Sequence, residues 1–311
     1  MKKKFYSCGK LLLTSEYLVL DGAKALAIPT KKGQSLSVIE NDSKLLIWKS
    51  YDCYGKLWYE TQITLSDLLS KTPPESNNNI DKTLFTILRK AHHLSKKGLD
   101  PNKGYFIETH LEFERLWGLG TSSTLINNIA DWFSINAFEL LELSFGGSGY
   151  DIAVAKSNTP ILFQRTYKSD IPKVTRVPEF SPSFKEELFF VYLNNKMDSK
   201  KAILTYRSRN KIDIQKFVQQ SNLLTEAFLE AKNVQEFEEL IDQHEQLISG
   251  ILDIPTIKDQ RFSDFKGSIK SLGGWGGDFV LVTGGEDARR YFLDKGYKTI
   301  VSYMDMLLSG V

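Results

Sequence analysis

Cysteine is scarce: the 311 residues carry two, Cys8 and Cys53. Two thiols make at most one disulfide, and no Cys/His cluster has zinc spacing, so neither a disulfide framework nor a structural zinc site is expected; a reducing, cytoplasmic setting fits best. Histidine is also sparse, four in all, and the adjacent His92 and His93 read as structural or solvated. No window approaches the roughly 18 uninterrupted apolar residues of a transmembrane helix. The opening Lys2-Lys3-Lys4 imitates the basic end of an export signal. Ser7, Gly9 and Lys10 interrupt the apolar segment that should follow it, so no export signal is expected. Charge bias is missing too. Lys plus Arg total 40 against 38 for Asp plus Glu, which gives no reason to expect nucleic acid or a membrane surface as partner. Internal repeats and low-complexity tracts are absent as well.

What the chain does have is length and mixed periodicity. Single cores stop growing near this size, so two domains are expected, 1–167 and 186–311, with the Pro-bearing, mixed-charge stretch 168–185 as linker. Residues 5–8, 11–20, 35–48, 57–63 and 104–113 read as extended, and 71–80 as a surface loop. Residues 81–96, the run through Phe133, 137–143, 214–231, 235–251 and 286–295 have helical spacing. Residues 161–164, 188–193 and 279–283 read as further strands.

Four stretches carry chemistry. In Trp117-Gly118-Leu119-Gly120-Thr121-Ser122-Ser123-Thr124 two glycines allow a tight turn, and hydroxyls follow at the first turn of a helix. Free amides and the positive dipole end gather there, which is a phosphate cradle in outline. It is not a Walker loop, since no Lys follows the glycines. A capped helix after a glycine turn explains the same residues. Lys10 and Glu16 stand among apolar strand residues, as site groups or as solvent-facing positions. Gly146-Gly147-Ser148-Gly149-Tyr150-Asp151 sets a lone carboxylate at a helix start, as a catalytic group or as a cap. Gly273-Gly274-Trp275-Gly276-Gly277-Asp278 precedes a strand, with more glycine than a hairpin requires.

These stretches resemble, in order, the motifs of the GHMP kinases, the family named for galactokinase, homoserine kinase, mevalonate kinase and phosphomevalonate kinase. Cys8-Gly9-Lys10 through Glu16-Tyr17 resembles P-G-K-x-x-x-x-G-E-[HY], Gly118 to Ser123 resembles G-L-G-S-S, and Gly273 to Asp278 resembles G-x-G-G-G. Ser148-Gly149-Tyr150-Asp151 resembles the S-G-x-D of the catalytic aspartate, in the form of the GYDIA-type subgroup. Cys8, Ser15 and Trp275 depart from the pattern. Tyr17 and the Gly276-Gly277-Asp278 run are more similar to phosphomevalonate kinase than to mevalonate kinase.

The resemblance implies an α+β, two-domain GHMP kinase fold. Its N-terminal domain is like ribosomal S5 domain 2 with a left-handed crossover, and its C-terminal domain is ferredoxin-like. It implies an ATP- and Mg2+-dependent kinase for a small anionic acceptor, with mevalonate or phosphomevalonate favoured. A sugar or amino-alcohol acceptor, or a ligand-binding regulator without turnover, is the alternative. By the same resemblance Asp151 and Lys10 are catalytic, and Gly118, Leu119, Gly120, Thr121, Ser122 and Ser123 bind ATP. Glu16, Ser148, Gly149, Gly274, Gly276 and Gly277 bind the acceptor. Ser122 holds magnesium, with Glu142 as second ligand and Glu139 the other nearby acid. A phosphorylated acceptor calls for further cations, for which Lys31, Lys32, Arg165, Lys196, Lys200, Lys201, Arg207 and Arg209 are candidates. The partner is a small molecule; a homodimer is left open.

Overall fold

The computed structural model describes residues 2–72, 76–166, 171–195, 199–208, 213–275 and 277–308. Its strands are β1 (Lys2–Leu12), β2 (Ala25–Asn41), β3 (Leu45–Tyr51), β4 (Leu57–Thr64), β5 (Gly104–Leu111), β6 (Ile161–Gln164), β7 (Lys173–Arg176), β8 (Phe189–Tyr192), β9 (Ile269–Ser271), β10 (Phe279–Val282) and β11 (Ile300–Ser302). The chain packs as two compact units interleaved in sequence. One comprises Met1–Gly9, Lys32–Arg115 and Gly120–Lys156; the other comprises Lys10–Lys31, Leu116–Leu119 and Ser157–Val311. We keep the contiguous division into 1–167 and 186–311 as a proposal beside these interleaved units.

In the first unit the later half of β2 pairs antiparallel with β5, from Gln34 opposite Leu111 to Asn41 opposite Gly104. β5 runs parallel to β3, and β3 pairs antiparallel with β4. Alternate residues of β3 are buried, the pattern of a sheet with one covered face. Leu46, Trp48 and Ile107 of that face meet Leu84, Ile87, Leu88 and Ala91 of the helix Asn79–Leu94 and Ile126, Ile129 and Phe133 of the helix Thr121–Phe133. β2 is longer than its sequence suggests. It begins at Ala25, ten residues before the extended run that starts at Ser35 in the sequence, and passes through Lys31-Lys32-Gly33. Gly33 serves close approach: a Cβ there would lie 2.6 Å from the Tyr6 hydroxyl.

In the second unit β8 to β11 form an antiparallel sheet in the order β11-β8-β10-β9. Numbered along the chain that order is four-one-three-two, the ferredoxin-like arrangement. The helix pair Ile214–Glu230 and Val234–Leu252 joins β8 to β9, and Gly285–Asp294 joins β10 to β11. The early half of β2 pairs with β6, and β6 with β7. β7 lies inside the stretch read as linker. Its four residues are all exposed, so no hydrophobic alternation marks it.

Residues 11–20 do not make a second strand. β1 runs through Lys10 to Leu12, the chain turns at Ser15 (φ 66°) and Tyr17 (φ 63°), and Leu18–Asp21 is a short 3-10 helix. Residues outside the left-handed basin's usual occupants stay there only where the surroundings hold them. Here the Ser15 amide donates to His244 Nε2 at 2.8 Å, and its hydroxyl meets Ser221 at 2.7 Å.

Candidate functional site

The segment 118–124 folds as a turn into a helix. Gly118 (φ 70°) and Gly120 (φ 95°) both adopt left-handed backbone, and Gly120 is the N-cap of Thr121–Phe133. Glycine brings no capping side chain, so the first-turn amides point out without an intrahelical partner. The hydroxyls divide their work. Ser123, 2% exposed, donates to the Gly120 carbonyl at 2.9 Å, and Thr124 donates to Gln34 Oε1 at 2.6 Å. They fold the turn from within. Thr121 is half-buried and Ser122 exposed, which leaves these two for a ligand.

The helix Tyr150–Ala155 carries Asp151 in its first turn. Gly149 (φ 87°), not Asp151, is the N-cap, so the capping alternative does not describe this carboxylate. Asp151 is half-buried, and its Oδ1 accepts from the Ile152 amide at 3.1 Å. Asn127, fully buried in Thr121–Phe133, donates Nδ2 to the Ile152 carbonyl at 3.0 Å. One buried hydrogen bond therefore ties the cradle helix to the helix of Asp151. Sequence reading missed Asn127, whose only signal is an amide on the apolar face of a helix. Ser148 is half-buried two residues before Tyr150, and Glu142 is exposed on Ala137–Ser144.

Three separated motifs meet at Gly118 inside the second unit. Lys10 donates Nζ to the Gly118 carbonyl at 3.1 Å and its amide to the Leu119 carbonyl at 2.9 Å. Asp278, from the last glycine cluster, lays its carboxylate on the other side of the same residue: a Cβ on Gly118 would sit 2.5 Å from Asp278 Cγ. Asp278 is 8% exposed and has φ 52°. Its amide donates to Asn195 O at 2.6 Å, and its carbonyl accepts from the Leu193 amide at 2.8 Å. The turn is also gripped through aromatics. Trp117 stands edge-on to Phe279 of β10 with centroids 5.4 Å apart, and the Tyr192 hydroxyl donates to the Leu116 carbonyl at 3.1 Å.

Gly274 and Gly277 are buried and close a turn, the Gly277 amide donating to Gly274 O at 3.2 Å; Gly276 lies outside the described residues. Trp275 is 6% exposed and packs with Tyr17, Tyr206, Ile248 and Leu252. Its amide donates to the Tyr17 hydroxyl at 2.9 Å and its indole N–H to Pro255 O at 3.2 Å. The tryptophan anchors the cluster in the core.

Glu16 lies in the interior, 1% exposed, and accepts from Lys270 Nζ at 2.6 Å. The fully buried Lys270 also donates to Glu245 at 3.0 Å and to the Ser271 carbonyl at 2.6 Å, while Ser271 donates to Glu245 at 2.8 Å. Burial pushes Glu16 up to about 7, against the pull of Lys270. Burial likewise raises Glu245. Burial, then the Lys270 charge, hold His244 well below the ordinary histidine range. Burial alone would lower Lys270, but the two carboxylates outweigh it and its pKa rises. The cluster binds the 14–17 turn to β9 and the helix Val234–Leu252. For a direct substrate contact Glu16 would have to leave that network.

Of the candidate acceptor cations, Lys31, Lys32 and Arg207 are exposed and Arg165 is half-buried. Lys196 and Arg209 lie outside the described residues, as do the side chains of Lys200 and Lys201. Among the described residues no group of three or more His, Cys, Asp or Glu could close around a metal, and no helix is long and apolar enough to cross a membrane.

Neither a protein-family model nor a curated protein matches the sequence. Solved structures do match, along nearly the whole chain. The mevalonate kinase of Methanococcus jannaschii superposes with a TM-score of 0.65 at 14% identity, covering 96% of each chain. The Streptococcus pneumoniae phosphomevalonate kinase, in complex with phosphomevalonate and AMPPNP, gives 0.68 at 15% over 97% of this chain and 99% of that one. The Lactococcus lactis galactokinase complexed with galactose gives 0.68 at 12% over 99% and 94%. The α+β fold expected from the sequence is the one observed, and it is the fold of the GHMP kinases.

Proposed function

We propose that this chain is an ATP-dependent small-molecule kinase of the GHMP type, acting in the cytoplasm on a small anionic acceptor, with mevalonate or phosphomevalonate the acceptors best supported. The observation that carries the reading is the convergence on Gly118. A lysine near the N-terminus and an aspartate near the C-terminus both settle on the glycine turn that opens the cradle helix. Such a turn supplies amide donors at the positive end of a helix dipole, where an anion is stabilised.

Phosphoryl transfer asks the protein mainly to place the phosphates, offset their charge and align the acceptor. In this reading the amides of residues 118–123 hold the nucleotide phosphates, with the Thr121 and Ser122 hydroxyls beside them. Lys10 offsets charge on the transferred group. Asp151 takes the proton of an acceptor hydroxyl, or orients a phosphate oxygen that has none to give. The γ-phosphoryl group moves to that oxygen, and ADP leaves. The donor set suits magnesium carried by the nucleotide, which needs only one or two protein oxygens besides phosphates and water; Ser122 and Glu142 would supply them. Held there, magnesium would supply positive charge to offset that of the nucleotide phosphates. Ser148, Gly149 and the glycines of 274–277 would shape the acceptor side. At least two of the candidate cations would face Asp151.

A coupled assay for ADP release across mevalonate, phosphomevalonate, homoserine and galactose tests the reading. Turnover is expected with one of the first two. The equal TM-scores of the phosphomevalonate kinase and the galactokinase favour a sugar as the second reading, and turnover with galactose alone would select it.

A further inference from the structure

We propose that Glu16 is held as a neutral carboxylic acid, its proton on Oε2 facing His244 Nε2, and that this proton keeps the 14–17 turn in register with the glycine cluster 273–277. All of these groups lie in the second unit. Three that can carry charge are sealed together: Glu16 is 1% exposed, Glu245 2% and Lys270 0%. Two ionised acids against one ammonium would leave a net negative charge in the interior, which is costly, so one of the acids keeps its proton. The hydrogen bonds say which. Lys270 donates to Glu16 Oε1, Glu245 Oε1 and the Ser271 carbonyl, and the Ser271 hydroxyl donates to Glu245 Oε2. Both oxygens of Glu245 are thus served by donors, as an ionised carboxylate requires. Glu16 Oε2 is buried with no hydrogen-bond partner among the described residues, and it stands 3.5 Å from His244 Nε2. That nitrogen accepts the Ser15 amide at 2.8 Å, so it carries a lone pair and the imidazole proton is on Nδ1. An ionised Glu16 would set an anionic oxygen against that lone pair; a proton on Oε2 turns the contact from repulsive to attractive. Burial, which raises Glu16 and lowers His244, acts in the same sense.

The turn depends on this hold. Ser15 and Tyr17 both have left-handed φ, 66° and 63°, which persists where the surroundings over-determine it. Helix Ile214–Glu230 contributes the hydroxyls of Ser221 and Thr225, 2.7 and 3.3 Å from Ser15 Oγ; β9 contributes Lys270 and Ser271, and helix Val234–Leu252 contributes His244 and Glu245. Tyr17, next in the chain and also ionisable, has its pKa raised chiefly by burial, and its hydroxyl accepts the Trp275 amide at 2.9 Å. Loss of the Glu16 proton to solvent leaves two buried anions on one lysine. The Glu16 side chain then turns outward and takes Tyr17 off the Trp275 amide, which frees the glycine cluster at that point.

The test follows the carboxyl proton and the turn separately, on the full chain, through neutral pH. Infrared difference spectroscopy reads the carbonyl stretch of a protonated carboxyl, and fluorine NMR of fluorotryptophan-labelled protein reads Trp275, assigned through Trp275→Phe. Wild type is expected to lose the protonated-carboxyl band with a midpoint at about 7, and the Trp275 resonance should shift at the same midpoint. Glu16→Gln should abolish both changes. Glu245→Gln removes the competing anion, so Glu16 should hold its proton about tenfold less tightly and both midpoints should fall by about one pH unit. Wild type without a carboxyl band titrating near neutrality, a band that survives Glu16→Gln, or a Trp275 resonance that stays still while the band titrates overturns the proposal. The first and third readings use wild type, so a folding defect in a variant does not shelter it. None of these readings involves nucleotide or acceptor, and the kinase reading stands or falls separately.

Discussion

Replacing Gly118 by Ala isolates the contact on which the site is built. Two costs arise. A left-handed alanine costs about 1 kcal/mol, and the new methyl group enters the space of the Asp278 carboxylate, 2.5 Å from its Cγ. Relieving such an overlap in a packed setting costs about 2 kcal/mol. The sum of about 3 kcal/mol should lower the thermal midpoint by roughly 4–5 °C in a chain of 311 residues. The two parts separate in a double-mutant cycle. In an Asp278→Gly background the overlap is gone and only the backbone term remains, so Gly118→Ala should cost about 1 kcal/mol there, a coupling of about 2 kcal/mol. Chemical denaturation of the four proteins measures it. Equal costs in the two backgrounds would refute the placement of Asp278 on Gly118.

The buried cluster makes two more predictions. Glu16 has its pKa raised from 4.5 to about 7, so its protonated form favours folding; that stability is fully present below pH 4.5 and is lost as pH rises through 7. Glu16→Gln imitates the protonated form, and its stability relative to wild type should improve between pH 5 and pH 8 by on the order of 2–3 kcal/mol. His244, lowered instead, acts oppositely below its ordinary range in both proteins and largely cancels from the difference; a pH-independent difference would sink the assignment. Lys270→Met strands two buried carboxylates and should destabilise by about 3–5 kcal/mol, read by urea denaturation. A cost below 1 kcal/mol would show the network to be unimportant.

Legibility in the sequence followed the range of each interaction. The turn at 118–124 and the placement of Asp151 were readable because glycine spacing and a following helix are local signals. Lys10 was readable as an odd charge in a strand, but its seat on the Gly118 carbonyl, 108 residues away, was not. Glu16 was read as facing substrate; its partner Lys270 stands 254 residues on, and no local pattern says that an acid in a strand will be buried against a lysine. Trp275 looked like an intruder in a glycine cluster, and its packing against Tyr17 and Tyr206 explains it. The first strand pair was misjudged because Ser15 and Tyr17 take left-handed backbone without being glycine. β7 was passed over because exposed Lys173-Val174-Thr175-Arg176 has no buried face to announce a strand.

The central claim, that this fold carries out phosphoryl transfer with Asp151 at the reacting oxygen, is tested most directly by ADP release from wild type and Asp151→Asn side by side, with AMPPNP binding measured on both. The account predicts Mg2+-dependent turnover of mevalonate or phosphomevalonate by wild type, and a loss of roughly 10² or more in kcat for the variant with nucleotide affinity retained. Wild type inert towards every acceptor, or Asp151→Asn turning over at the wild-type rate, would contradict it.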